Sequence, residues 1–427
     1  MLDPRSSHSR IAFCSTKASV EAASRAVSIV VAGLVAAALC LASGCGKLLT
    51  TEPAPGERFD QPLVGLDNGE LGDFQDGHEQ FRKSFTINEG LGPIFNNVSC
   101  ASCHSGDGRG RPENTLTRFS RGADLAYDVG GPQLQDKAVP GAFAEKLPSG
   151  VDVSYRLPPP VFGVGLIEAI TDSAIASHED PSDANADGIS GRVNWVTPAA
   201  YLPTDDAGAG PGLRAGRFGR KASVSSLIQQ TTEAYHQDMG ITSSFRPTEN
   251  VNPLAPALAP DVDRAPEPEV SEGKIHDLAQ YMRMLAPPAP GEMTAARQHG
   301  QTLFSGASCT GCHIPTMRTG WHEIEALSNR DVALYSDLLV HDLGDALADN
   351  RPDGSADGHE WRTAPLWGLR IAKEFLAGRL LLLHDGRAHS VDEAVRLHGG
   401  EATAARDAYL AMPAADKADL IDFVESR

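Results

Sequence analysis

The stretches NNVSCASCHSGDGRG (residues 96–110) and GASCTGCHIPTMRTG (residues 306–320) each contain the pattern Cys-x-x-Cys-His. The chain holds seven cysteines, and the two motifs contain four of them: Cys100, Cys103, Cys309 and Cys312. The other three lie close to the N-terminus, at Cys14, Cys40 and Cys45. No cysteine is left to form an ordinary disulfide in the body of the chain, so the motifs call for another chemistry.

Three kinds of site use closely spaced cysteines. A zinc site needs two Cys-x-x-Cys pairs near enough to share one ion, and a thioredoxin-like dithiol does not need the following histidine. Covalent haem c needs all three residues, because the thiols add to the vinyl groups and the imidazole ligates the iron. The repeated histidine favours haem c over zinc and dithiol chemistry. We therefore expect one haem on Cys100, Cys103 and His104 and a second on Cys309, Cys312 and His313.

The composition sets limits on the class of protein. The chain has 427 residues, of which 41% are hydrophobic and 22% charged, as in an ordinary soluble protein with more than one domain. Its formal net charge is −19, which argues against nucleic acid as a partner because phosphate binding needs clustered Lys and Arg. The charge suits a basic redox partner or serves solubility alone.

The N-terminus has the features of an export signal. Basic residues precede an apolar run at residues 26–41, which is too short for a confident membrane span. The run ends in LASGC (residues 41–45), which resembles the lipobox of bacterial lipoproteins. We expect residues 1–44 to be removed and Cys45 to carry a lipid, which would tether the protein to the membrane in the periplasm or cell envelope without spanning it. A short signal anchor is the alternative.

The rest of the chain is expected to be mainly α-helical, with two cytochrome c-like haem domains and long loops. The N-terminal domain would cover residues 46–285, enlarged by insertions that include a proline-rich loop at 246–270. It would end in a helix with Ile275, Leu278, Met282 and Leu285 on one face. The C-terminal domain would cover residues 290–427, with one helix before the haem motif and another at the end, as in the class I cytochrome c fold.

The second axial position of each iron decides between electron transfer and chemistry. For the second haem the candidate ligands between the motif and the last helix are His341, His384, His389, His398 and Met317. Among them His398 lies on the apolar face of a helix that begins at Ser390, where Ser390 and Glu393 form a capping box. For the first haem the candidates are His78, His178, His236 and Met239. None lies soon after His104, which is compatible with an open iron.

Two further patterns bear on bound ions. In DANADG (residues 183–188), Asp183, Asn185 and Asp187 alternate as in the first half of an EF-hand loop, but the twelfth position is Asn194 and not glutamate. The loop is either a calcium site or a solvated turn. Arg192, Arg217 and Arg362 are candidates for pairing with haem propionates, with ordinary ion pairs as the alternative.

Several stretches resemble one family, the bacterial di-haem c-type oxidoreductases described as peroxidase-like or "thiol oxidoreductase"-like. The matching stretches cover most of the chain after about residue 60 and include GLGPIFNNVSCASCH, RLPPPVFGVGLIEAI, DANADGISGRVNWV, GRFGRKASV, DMGITS, EWRTAPLWGLR and LLLHDGRAHSVDEAVRLHGGEA. This family is similar to the di-haem cytochrome c peroxidases and to the di-haem enzyme that matures methylamine dehydrogenase.

The resemblance implies roles for the two haems. The C-terminal haem would accept electrons, with His398 as its sixth ligand where the peroxidases usually have Met. The N-terminal haem would react with peroxide, helped by a distal carboxylate that we assign to Glu168. The partners would be a redox donor protein or small-molecule donor and hydrogen peroxide as acceptor. The alternative is an electron-transfer lipoprotein in which both irons are six-coordinate.

Overall fold

The computed structural model describes residue 54 and residues 56–104, 106, 108–259 and 262–427. The expected signal at residues 1–44 and the expected lipid site at Cys45 lie outside this part of the chain. Helices take up 33% of the residues and strands 12%, so the expectation of a mainly helical fold with long loops is confirmed. The helices are α1 (Asn68–Arg82), α2 (Cys100–Cys103), α3 (Val164–Ala169), α4 (Asp172–Ala176), α5 (Leu227–Met239), α6 (Glu272–Met284), α7 (Ala295–Gly306), α8 (Leu369–Phe375), α9 (Val391–Leu397), α10 (Thr403–Ala411) and α11 (Ala414–Glu425).

The strands form antiparallel pairs that hold the loops together. The pairs are β1 (Ile94–Phe95) with β3 (Lys137–Ala138), β2 (Leu116–Ser120) with β4 (Asp152–Arg156), β5 (Trp195–Val196) with β6 (Arg214–Ala215), β7 (Met317–Arg318) with β8 (Asp331–Val332), and β9 (Val340–Asp342) with β10 (Glu360–Arg362). The longest runs in register from Leu116 opposite Arg156 to Ser120 opposite Asp152. Each sheet has two strands, so the core is built from helices and loop side chains.

Helices α1 and α6 pack closely against each other in the first half of the chain. Helix α1 begins with a capping box in which the Asp67 side chain accepts from the Glu70 amide at 2.9 Å. At the contact, a Cβ atom on Gly77 would lie 2.2 Å from the carbonyl oxygen of Asp277, so only glycine permits this approach. Helix α6 is the helix predicted from its apolar face, and Ile275 is fully buried within it.

The second half has a corresponding pair of helices on either side of the haem motif. Helix α7 precedes the motif and packs against α11, the last helix of the chain. Gly300 allows the close approach, since a Cβ there would lie 2.1 Å from the carbonyl oxygen of Asp419. The rings of Phe304 and Phe423 meet at 5.7 Å between centroids. The helix before the second Cys-x-x-Cys-His motif and the last helix of the chain therefore pack together.

The two halves share contacts beyond the predicted boundary near residues 285–290. Residues 55–427 form one unit, and the Leu157 amide donates to the carbonyl of His384 at 2.9 Å. The division into domains at 46–285 and 290–427 stays a prediction. Within the described residues, no helix combines the length and the apolar character needed to cross a membrane.

Candidate haem sites

Both Cys-x-x-Cys-His motifs line one cavity of about 700 Å³. The residues of the first motif that face it are Cys100, Cys103 and His104, and those of the second are Cys309, Cys312 and His313. Much of the remaining wall is apolar, with Phe81, Phe162, Leu278, Phe304 and Trp367 among the residues that line it. A large, flat, apolar group bound at each motif would therefore contact apolar side chains.

The first motif forms a single helical turn. Helix α2 begins at Cys100 because the Ser99 side chain accepts from the Ser102 amide at 3.1 Å. The His104 amide donates to the carbonyl of Cys100 at 2.9 Å, which closes the turn. Both thiols and the imidazole thereby come to one side, and Asn97 donates from its side chain to Cys103 Sγ at 3.2 Å.

The second motif forms a 3₁₀ turn that begins at Cys309, and the imidazole of His313 is fixed by a backbone carbonyl. Nδ1 of His313 lies 2.9 Å from the carbonyl oxygen of Tyr335. A carbonyl only accepts, so Nδ1 carries the proton and Nε2 keeps its lone pair for a metal. Burial lowers the pKa of His313 to about 4, which keeps the imidazole in the neutral form that binds iron.

His398 presents the same arrangement from another part of the chain. It follows helix α9, which begins where the Ser390 side chain accepts from the Glu393 amide, and it lines the cavity. Its Nδ1 donates to the carbonyl of Ala394 at 2.7 Å, which leaves Nε2 as the free acceptor. Burial lowers the pKa of His398, and a charge on His398 would in turn lower the pKa of His313. Both imidazoles line the same cavity, and ligation by His398 stays a prediction.

The other four candidates around the second motif are held differently. His341 has both ring nitrogens engaged, at 2.9 Å from Asp337 and 2.8 Å from Glu401. His384 lines the cavity and stacks on the indole of Trp361 at 3.8 Å between centroids. Met317 and His389 are not part of the cavity wall.

Around the first motif, one of the four candidate ligands lines the cavity, and it is Met239 at the end of α5. Nε2 of His236 lies 3.0 Å from the carbonyl of Thr248. His78 stacks on Tyr281 at 5.1 Å between centroids, and His178 is exposed.

The arrangement does not suit a zinc ion shared by the two motifs. Among the described residues, two groups of three or more His, Cys, Asp and Glu donors converge to within 4.8 Å, and neither contains cysteines of both motifs. One group is Cys312, Asp337 and His341, and the other is Glu249, Asp263, Glu267 and Glu269. The paired thiols, the neutral imidazole of His313 and the apolar wall fit haem c, which each motif would hold through its two cysteines and its histidine.

Glu168, the predicted distal carboxylate, lies in the stretch VFGVGLIEAI (residues 161–170), of which Val164–Ala169 forms helix α3. Its side chain is buried and accepts from Arg283 Nε at 2.6 Å and from the Leu227 amide at 2.8 Å. Burial alone would raise the pKa of Glu168, but the charge and hydrogen bond of Arg283 outweigh it and the pKa is lowered. Its helix neighbours Val164 and Ile167 line the cavity, whereas Glu168 does not. Its catalytic role stays a prediction.

The sequence analysis did not identify Asp238, a carboxylate in the cavity wall next to Met239. It accepts from the Gln133 side chain at 2.6 Å, and burial raises the pKa of Asp238 to about 6. The residue lies at the start of the family-like stretch DMGITS. The family-like stretch could have drawn attention to Asp238, but no sequence spacing connects it with the first motif.

The DANADG loop turns its side chains towards its own backbone. Asp183 accepts from the Gly188 amide at 3.1 Å, Asn185 accepts from the Asp187 amide at 2.9 Å, and Asp187 accepts from the Ile189 amide at 2.9 Å. Asn194, at the twelfth position, is buried and donates to the carbonyls of Lys221 and Asp353. Calcium binding by Asp183, Asn185 and Asp187 stays a prediction, which metal analysis before and after chelation would test.

The three arginines considered for haem propionates lie in different surroundings. Arg192 pairs with Glu360 at 2.7 Å and is not in the cavity wall. Arg217 lines the cavity but pairs with Asp172. Arg362 lines the cavity and donates to the carbonyl of Gly219 at 3.1 Å.

The comparisons with known proteins give one family match. No curated protein matches the chain. Among solved structures, hydrazine synthase of Kuenenia stuttgartiensis pressurised with xenon is similar at 15% identity and a TM-score of 0.35, covering 89% of this chain and 96% of that one. A family model described as "Di-haem oxidoreductase, putative peroxidase" matches residues 41–118 and 126–427. The match covers nearly the whole chain, including both motifs, and the chain therefore belongs to this family of di-haem oxidoreductases.

Proposed function

We propose that this chain is an exported di-haem c-type cytochrome that acts as a peroxidase-like oxidoreductase, with electrons entering at the second motif and used at the first. The observation that carries the proposal is the difference between the two motifs. A second imidazole, that of His398, lines the same cavity as His313 and keeps its Nε2 unprotonated. Near His104, Met239 is the one predicted ligand in the cavity wall.

A bound haem supplies an iron that exchanges electrons and, where an axial position is open, binds peroxide. In this chain Cys100, Cys103 and His104 would hold the first haem. Cys309, Cys312 and His313 would hold the second. The carbonyl of Tyr335 accepts from Nδ1 of His313, which would leave Nε2 available to ligate the iron.

His398 would close the second site. Its hydrogen bond to the carbonyl of Ala394 fixes the ring in the tautomer that ligates through Nε2. An iron with two protein ligands is suited to transferring electrons and not to binding peroxide. Ligation by two histidines also favours a lower reduction potential than ligation by Met and His.

At the first site, the chain has to deliver protons to a bound oxidant. Glu168 is the carboxylate implied by the family resemblance, and its helix contributes Val164 and Ile167 to the cavity wall. Asp238 is a second carboxylate that could hold a proton there, because it lines the cavity and hydrogen bonds to Gln133. A carboxylate near the reacting atoms could act as general acid and base.

The proposal includes a location and partners. The signal-like N-terminus and Cys45 would place the protein at the cell envelope, anchored by lipid. The net charge of −19 would favour a basic donor protein, and a small-molecule donor is the alternative. Hydrogen peroxide is the proposed acceptor.

The test is electron paramagnetic resonance combined with optical titration with hydrogen peroxide, on oxidised and half-reduced protein. We expect one high-spin signal that disappears on adding peroxide and one low-spin signal that does not. Two low-spin signals that peroxide leaves unchanged would instead favour the electron-transfer lipoprotein.

The variant Met239→Leu sharpens this test because the substitution keeps the apolar volume and removes the sulfur. If the first site is open, its spectrum stays high-spin in the variant and in the parent protein. A parent that is low-spin at the first site and becomes high-spin in Met239→Leu would show that Met239 closes the site, against the proposal.

A further inference from the structure

Three arginines from distant parts of the chain line the cavity together. Arg109 follows the first motif, Arg220 lies between β6 and α5, and Arg362 ends β10. The backbone amide of Arg362 donates to the carbonyl of Arg220 at 3.0 Å, which fixes the two segments against each other. The three side chains lie near enough for the charges of Arg109 and Arg362 to act on Arg220.

Within the part of the chain that the structure describes, the hydrogen bonds of these guanidinium groups go to backbone carbonyls. Arg109 donates to Leu381 at 3.3 Å, and Arg362 donates to Gly219 at 3.1 Å. Arg220 donates to Leu157 from Nε at 3.1 Å and from Nη2 at 2.7 Å. Among the described residues, buried Nε of Arg109 and buried Nη1 of Arg362 have no hydrogen-bond acceptor. None of the three arginines forms an ion pair with a carboxylate of the described residues.

Two other arginines in the same wall are paired with carboxylates. Arg156 pairs with Asp353 and lies 3.5 Å from Asp349, and Arg217 pairs with Asp172. Arg118 has no ion pair among the described residues either, but its guanidinium group donates to the side chain of Gln237 at 3.4 Å. Arg109, Arg220 and Arg362 differ from these arginines because, within the described residues, their guanidinium groups donate only to backbone carbonyls. Burial lowers the pKa of Arg109 and Arg362 to about 10 and of Arg220 to about 9, with repulsion from Arg109 and Arg362 adding to the effect on Arg220. All three stay charged at neutral pH.

Positive charges gathered in a buried wall are strongly unfavourable unless anions compensate them. We propose that Arg109, Arg220 and Arg362 form an anion seat that binds the propionate carboxylates of the haems. The inference rests on the assignment of haem to the two motifs. A guanidinium group binds a carboxylate through two parallel hydrogen bonds, and the unpaired nitrogens are donors of this kind.

The seat would also act on the redox properties of the protein. A nearby positive charge favours the reduced iron, which carries one positive charge fewer than the oxidised iron. Replacing one of these arginines by glutamine should therefore lower the midpoint potential of a haem. The released propionate would also protonate more easily, so the potential would become dependent on pH.

The test uses Arg109→Gln, Arg220→Gln and Arg362→Gln in the full chain, made in a host that matures c-type cytochromes. Haem content of the parent chain is measured first by the pyridine haemochrome spectrum, because a parent without haem would reject the haem assignment itself and not the seat. Arg192→Gln is the matched control, since Arg192 pairs with Glu360 outside the cavity wall.

The readouts are the propionate bands in resonance Raman spectra and the midpoint potentials from about pH 5 to pH 9. We expect each of the three variants to shift the propionate bands and to lower at least one midpoint potential, while Arg192→Gln leaves both unchanged. Three variants that match the control in bands and potentials would overturn the proposal.

Lysine variants cover the case in which a glutamine variant does not fold. Arg220→Lys keeps the charge but loses the forked geometry, so the propionate bands should shift while the potential changes less than in Arg220→Gln. Unchanged bands would count against the seat.

Titration of the haem-loaded parent with inorganic phosphate tests whether a free anion, and not a haem propionate, occupies the seat. A change in potential with phosphate that Arg220→Lys abolishes would mean that the seat takes a free anion, and the proposal would fail.

Discussion

Nε of Arg283 lies 2.6 Å from a carboxylate oxygen of Glu168, and both side chains are buried. The pair joins helix α6 to helix α3, and the same carboxylate reaches helix α5 through the Leu227 amide. Arg283 also approaches Asp206 at 3.3 Å. A residue predicted from family resemblance to move protons is therefore also part of a buried ionic network.

The variant Glu168→Gln tests both roles of this carboxylate. Because it leaves the buried charge of Arg283 only partly compensated, we expect the free energy of unfolding to fall by about 2–4 kcal/mol, measured by chemical denaturation. If the catalytic prediction holds, peroxide turnover below the melting temperature also falls while the resting haem spectra stay the same. Asp422→Asn is the control, because Asp422 is half-exposed beside Arg297, and it should cost less than about 1 kcal/mol. Unchanged turnover in Glu168→Gln would leave the residue a structural role alone.

Replacing His398 by alanine removes the predicted sixth ligand of the second haem. We expect one low-spin signal to become high-spin in electron paramagnetic resonance, because one axial position loses its strong ligand. His389→Ala is the matched control, since His389 lies in the same region, outside the cavity wall, and should leave the spectrum unchanged. If the His398→Ala spectrum equals that of the parent, another residue ligates the iron.

Lys221 holds the loop at residues 349–357 from within the core. Its ammonium group is fully buried and donates to Asp349 at 2.8 Å, to the carbonyl of Arg351 at 2.8 Å and to the carbonyl of Asp357 at 2.6 Å. Lys221→Met would remove the buried charge paired with Asp349 and the donor to both carbonyls, so we expect a loss of roughly 3–5 kcal/mol in the free energy of unfolding. Lys373→Met, which removes a more exposed pair with Glu425, should cost far less. A loss of equal size in both variants would contradict the role of Lys221.

Glu145 should make stability depend on pH. Its carboxylate is buried with one hydrogen bond, from the Gln135 amide at 2.7 Å, and burial raises the pKa of Glu145 to about 7. The folded chain therefore binds this proton more tightly than the unfolded chain. The stability from this group is complete below about pH 4.5 and is lost as pH rises through about 7, by roughly 1–2 kcal/mol.

In Glu145→Gln this contribution disappears. Urea unfolding at about pH 5 and pH 8 should show a smaller loss of stability with rising pH in the variant than in the parent. Glu113→Gln, at an exposed position, should keep the parental dependence. The same pH dependence in Glu145→Gln and parent would show that the carboxyl titrates normally.

Features that depend on short spacing could be predicted from the sequence. The two motifs, the helix with Ile275 on its buried face and the helix start at Ser390 are local patterns, and the mainly helical fold follows from them. The capping box predicted there is half formed, because the Glu393 side chain accepts from the His389 amide and not from that of Ser390. The mostly apolar stretch VFGVGLIEAI, which contains Glu168, fits a buried strand as well as a buried helix, and its periodicity does not decide between them. The glycine contacts of α1 and α7 decide how closely the helices pack, and no local pattern revealed them.

The electrostatic features could not be predicted because they join residues far apart in the chain. Arg283 and Glu168 are separated by 115 positions, and Arg109 and Arg362 lie on opposite sides of the second motif in sequence. The composition gives the number of charged residues, but it does not tell which carboxylate lies near which arginine. For the same reason Arg192 and Arg362 looked equivalent in the sequence, although one pairs with Glu360 and the other lines the cavity.

The enclosure of Cys103 sets an order of events in the making of the protein. This sulfur belongs to a residue that is only 6% exposed, within a turn closed by hydrogen bonds on the wall of the cavity. An enzyme that attaches the proposed haem to this thiol would need access to it, so attachment should precede final folding. Chains that fold before this attachment would then lack a haem at the first motif.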